Sequence, residues 1–123
     1  MLTLIELCVQ FVDSKNIYTN TMYTIKKINE QIKNCIKFYI ITIKFDSYNE
    51  YTVLRIPLHK LSYDDLVSIL INTQYSQDKM QAIINNYLLD GDTDDAVVNE
   101  FKEMQEWRKL SKIVAKDILS RIN

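Results

Sequence analysis

A general base working near neutral pH would have to start from His59, the sole histidine in the 123-residue chain. It follows Pro57-Leu58 and precedes Lys60, with no Asp or Glu within four residues on either side. A base needs an orienting partner, and a triad needs a nucleophile as well. His59 therefore reads as a surface or otherwise satisfied histidine. The candidate thiol nucleophiles, Cys8 and Cys35, are each expected to sit among apolar residues, surroundings that do not activate a thiol. They are too far apart for a CxxC motif and too few for a disulfide scaffold, so both are expected to be buried thiols in a reducing compartment. No nucleophile, base and orienting group come together in the sequence, and the expectation is a protein without catalysis or cofactor.

The sharpest local pattern is Asp90-Gly91-Asp92-Thr93-Asp94-Asp95, whose alternate carboxylates open like a calcium-binding EF-hand loop. Such a loop needs glycine at its sixth place, where Asp95 stands. It also needs a bidentate glutamate at its twelfth, where Phe101 stands and Glu100 is one residue early. Four carboxylates before a helix are accounted for by capping and the helix dipole, and no metal is expected.

These residues must be positioned by few turns, because the chain has one glycine and one proline. At 123 residues and 47% hydrophobic content it is long enough for one domain, 1–123. A net charge of -1 and a pI near 5.8 exclude a histone-like or polybasic role. The uncharged run ending in Val9-Gln10-Phe11-Val12 lies between Glu6 and Asp13, far short of the roughly 18 residues that span a bilayer. With no basic segment before it, neither membrane insertion nor export by a signal peptide is expected. Seventeen isoleucines against three alanines are what an AT-rich genome writes.

Periodicity predicts an α+β domain, mostly helical, with one β-hairpin followed by three helices. The N-terminal segment 1–35 reads as helical in part. From Leu2 to Val12 a strand-like and a helical period compete, 13–20 is polar, and Met22, Ile25, Ile28 and Ile32 fall at helical spacing with Lys26, Lys27, Glu30 and Lys33 opposite. The β-branched and aromatic runs IKFYIITIKF and YTVLRI predict a hairpin over 36–57. The region 62–122 predicts the helices. Ser62 caps the first, with Asp65 at N3 and Leu61 and Leu66 placed as a staple. Ser76 caps the second, whose stripe is Met80, Ile83, Ile84, Tyr87 and Leu88 and whose end near Asp90 has Gly91 at a left-handed C′ position. Thr93 or Asp92 caps a third running to about Arg121.

On that third helix an apolar arc gathers Val97, Phe101, Met104, Trp107, Val114, Ala115, Ile118 and Ile122, with Ser111 inside it. Lys102, Lys109 and Lys116 recur along one edge, and Glu103, Glu106 and Asp117 lie on the other. Packing within the chain explains such a stripe. A subunit contact is the second explanation, with Phe101, Met104, Trp107, Arg108, Lys102 and Lys109 as candidate interface residues. Residues 1–61 carry eight basic and five acidic side chains and residues 62–123 seven and eleven, a polarity that favours head-to-tail contacts between copies. Lys37, Lys44 and Arg55 with Tyr39, Tyr48 and Tyr51 could serve nucleic acid, but Asp46 and Glu50 beside them weigh against it.

The stretch 75–116 carries Tyr75-Ser76, Ile84-Asn85-Asn86-Tyr87-Leu88-Leu89-Asp90 and Met104-Gln105-Glu106-Trp107-Arg108-Lys109. It resembles C-terminal helical segments of small proteins from tailed phages and prophages of Bacteroidales, including crAss-like phages. The resemblance covers about a third of the chain and carries over no site residues. It implies a phage protein in a virion or in the host-cell cytoplasm. The expected role is a non-enzymatic structural or adaptor protein, with homo-oligomeric or other virion subunits as partners. The alternative is a small effector that binds and inhibits a host protein or nucleic-acid complex.

Overall fold

The computed structural model describes residues 22–122. The readings made for Leu2 to Val12, for 13–20 and for Cys8 lie outside the described residues. The chain divides into two compact units, one up to Leu58 and one from His59, in an α+β arrangement.

The first unit is an antiparallel sheet, β1 (Tyr23–Lys33), β2 (Ile36–Phe45) and β3 (Tyr51–Pro57), in the order β1-β2-β3. The hairpin of β2 and β3 is the expected one, and β1 replaces the helix expected over 22–33. The cause is a β-bulge. Ile25 pairs with Ile43 and the next ladder pair is Lys27 with Thr42, so Lys26 has no partner across the sheet. The extra residue makes Ile25 and Ile28 share a face three positions apart. Ile32 follows four positions later, which is one helical turn but also two strand periods. Helical spacing and a bulged strand therefore write the same pattern. Ile25, Tyr39, Ile41, Ile43, Phe45, Leu54 and Ile56 line the buried face.

β1 and β2 are joined by Asn34 and Cys35, both at positive φ (53° and 65°), as a two-residue type I′ turn requires. Asn is at home there. Cys35 is not, because its Cβ crowds the backbone, and it is exposed rather than buried as expected. A reversal with no glycine leaves its tip pointing into solvent.

The second unit follows a single 3₁₀ turn at Leu58–Lys60 and contains α1 (Tyr63–Asn72), α2 (Gln77–Asp90) and α3 (Asp95–Ile122). Ser62 Oγ accepts the Asp65 N–H at 3.2 Å and Ser76 Oγ accepts the Lys79 N–H at 3.1 Å, as the capping signals foretell. The cap of α3 is Asp94, whose Oδ1 accepts the Ala96 N–H at 3.0 Å. Thr93 and Asp92 are not the cap, because the connector first closes on α2: the N–H groups of Thr93 and Asp94 both donate to the Asp90 carbonyl at 3.0 Å. Gly91 is not left-handed either (φ -60°). It is needed for space, since a Cβ there would stand 2.5 Å from the Tyr87 carbonyl oxygen that accepts the Gly91 N–H.

Two substitutions should therefore act in opposite directions in urea denaturation. Gly91→Ala should cost about 1–3 kcal/mol, because backbone must shift. Cys35→Gly should stabilise by up to about 1 kcal/mol, the relief of αL crowding exceeding the added entropy of the unfolded chain. A native-state maleimide assay should also label Cys35 without denaturant, at the rate of an exposed thiol.

Candidate interface

The candidate interface residues lie on α3, which packs against α1 and α2. Met104, Trp107, Ser111, Val114, Ala115 and Ile118 recur at steps of three and four and are buried. Trp107 does more than fill space. Its indole N–H donates to the Leu70 carbonyl at 3.1 Å, and that oxygen also accepts the Thr73 N–H (3.2 Å) and hydroxyl (2.7 Å). The indole is thus a third donor on a carbonyl at the end of α1, and the contact ties α3 to that end. Met104 clusters with Met80 and Ile83, and Phe101 packs at the cluster's edge, its ring stacked on Tyr87 at 4.1 Å.

Phe101, Met104 and Trp107 thus come together on the inner side of the helical unit, where Met104 is 0% and Trp107 9% exposed. Arg108 is half-buried, and Lys102 and Lys109 are exposed. Met104 and Trp107 have almost no surface left to offer, and Phe101 is half-buried. Exposed apolar side chains next to charge gather in two other places among the described residues, each marked only in part by the sequence patterns.

One is the outer face of the sheet. Register puts Lys27, Asn29, Gln31 and Lys33 beside Ile36, Phe38, Ile40, Thr42 and Lys44, and these beside Tyr51, Val53 and Arg55. Ile36, Tyr51 and Val53 are 48%, 57% and 57% exposed. Among the described strand residues four cations stand on this face and no carboxylate does, because Glu30 points to the opposite face. There Glu30 pairs with Lys37 Nζ at 3.1 Å and accepts the Tyr39 hydroxyl at 3.1 Å. Lys37 first, then Tyr39, holds the Glu30 carboxyl below its usual range, and Glu30 raises the Lys37 ammonium. The small stabilisation from Glu30 is present above the ordinary carboxylate range and fades as pH falls through its lowered pKa. The basic hairpin cluster seen in the sequence is therefore split. Lys44, Arg55 and Tyr51 share the outer face, while Lys37 and Tyr39 belong to the other. Lys44 Nζ is tied to the carbonyls of Phe45 and Tyr48.

The other is the end of α2. Leu88 and Leu89 are 74% and 80% exposed, although the helical stripe assigns Leu88 to the core. Exposed Asp90, Asp92, Asp94 and Asp95 follow them directly.

His59 lies exposed in the 3₁₀ turn. Among the described residues no group of three His, Cys, Asp or Glu side chains could hold a metal ion, and no helix is long and apolar enough to cross a membrane. A shallow depression along the first turns of α3 is lined by Ala96, Val97, Asn99, Glu100 and Glu103 and opens to solvent. Comparison with family models, curated proteins and solved structures finds no match to this chain.

Trp107→Ala should lower stability by about 3–5 kcal/mol, and Trp107→Phe, which keeps most of the volume but leaves the Leu70 carbonyl without its indole donor, by about 1 kcal/mol. Ser111 is 2% exposed and its hydroxyl has no hydrogen-bond partner among the described residues. Ser111→Ala should therefore be neutral or stabilising by about 1 kcal/mol in the same denaturation assay.

Proposed function

We propose that this chain is a non-enzymatic structural or adaptor protein that works through protein–protein contacts, in a phage particle or its assembly. The observation that carries the reading is the outer sheet face, where Ile36, Tyr51 and Val53 stay open to water among cations. Apolar side chains left exposed along one sheet face are what a protein partner covers. The phage setting rests on the resemblance of residues 75–116. A second reading, a small effector acting on a host protein or nucleic-acid complex, is favoured by the cations that the described strands place on this face without a carboxylate among them, and by Phe38 and Tyr51 upon it as stacking groups.

Quantitative proteomics of purified particles and of infected-cell lysate separates the two. The structural reading expects the chain in purified particles at many copies each. Its absence from particles, together with recovery on a host complex, would overturn that reading in favour of the effector.

A further inference from the structure

Two exposed surfaces among the described residues have opposite signs and matching chemistry. The outer sheet face presents Tyr51 and Val53 among the cations of Lys27, Lys44 and Arg55, with Ile36 and Lys33 farther along it at the β1–β2 turn. The end of α2 presents Leu88 and Leu89 beside Asp90, Asp92, Asp94 and Asp95. Each combines apolar side chains that water covers poorly with charges that would repel a copy of itself.

We propose that the outer sheet face of one copy docks on the Leu88–Leu89 end of α2 in a second copy. The inference rests on the protein-contact reading above and names the partner as this chain itself. Sheet on sheet would oppose four cations to four cations, and α2 end on α2 end would oppose aspartates to aspartates. Either costs the contact its electrostatics. Sheet on α2 end joins unlike charges around an apolar centre, so the same patch does not meet itself. Contacts of this kind extend or close into rings according to the rotation between copies. Partly buried charge pairs at the rim make the association steepest at low ionic strength, where the Debye length exceeds about 10 Å.

The test uses the full chain in sedimentation velocity over a concentration series at low and high salt. Wild type should associate with rising concentration, and salt should weaken the association. Val53→Glu gives the sheet face a charge repelled by the aspartates, and Leu89→Lys gives the α2 end one repelled by the lysines. Both positions are exposed, and each variant should weaken self-association about ten-fold or more while keeping the wild-type melting temperature. Mixed, the two variants should recover a 1:1 pair, because the intact sheet face of Leu89→Lys meets the intact α2 end of Val53→Glu. Should Val53→Glu lower the melting temperature, Arg55→Ser takes its place and should weaken association with the same salt dependence.

A wild type that stays monomeric at low salt, variants that associate as wild type does, or a mixture that recovers no pair would each overturn the proposal. So would binding of an oligo-dT strand that Val53→Glu abolishes in a chain with no self-association. Failure here is distinct from failure of the functional reading. A monomeric chain found in particles removes this contact and leaves the structural role, whereas a self-associating chain absent from particles does the reverse.

Discussion

One glycine serves 123 residues, and the chain places it at Gly91, where any side chain would meet the Tyr87 carbonyl. Every other reversal has to be made by residues with a Cβ. In the helical unit the solution is polar: Ser62, Ser76 and Asp94 each supply an oxygen to a helix N-terminus, so short connectors suffice. In the sheet the β1–β2 turn is made by Asn34 and Cys35, which take the left-handed conformation themselves. With that single glycine spent on the tight join of α2 and α3, the β1–β2 turn falls to Asn34 and to a cysteine whose thiol is exposed.

The helical unit is held by a contact between residues far apart in sequence. Trp107 reaches the Leu70 carbonyl, 37 residues away, and adds a donor from α3 to an oxygen that already accepts from Thr73 at the end of α1. The buried side of α3 then runs from Met104 to Ile118 without an ionisable group. Within it only the Ser111 hydroxyl is left without a partner among the described residues. A helix of 28 residues can tolerate that one cost because the packing around it is continuous.

Much of this architecture was legible in the residues. Capping serines, the β-branched runs and the stripe of α3 are local signals, and local signals located α1, α2, α3 and the β2–β3 hairpin. β1 was not legible, because Ile25, Ile28 and Ile32 fit a helix and a bulged strand equally well, and only pairing with β2 decides between them. The outer sheet face was hidden for the same reason. Which lysines stand beside Val53 and Tyr51 depends on the register across all three strands, and a reading that made 22–33 helical could not place Lys27 and Lys33 with Arg55. Leu88 shows the converse limit: its spacing suits the core, yet the packing of α2 on α3 is centred on Met80 and Ile83, one to two turns earlier.

The bulge at Lys26 has a further consequence, for aggregation. Among the described residues β1 is an edge strand, and a flat edge offers unpaired N–H and C=O groups on which another strand could add and fibrils could grow. Lys26 breaks the regular alternation of those groups and twists the strand, and two adjacent lysines would have to be packed against any strand that added there. Copies of this protein are thereby discouraged from zipping together edge to edge, and the polar defect that disguised β1 in the sequence also keeps it from becoming a template.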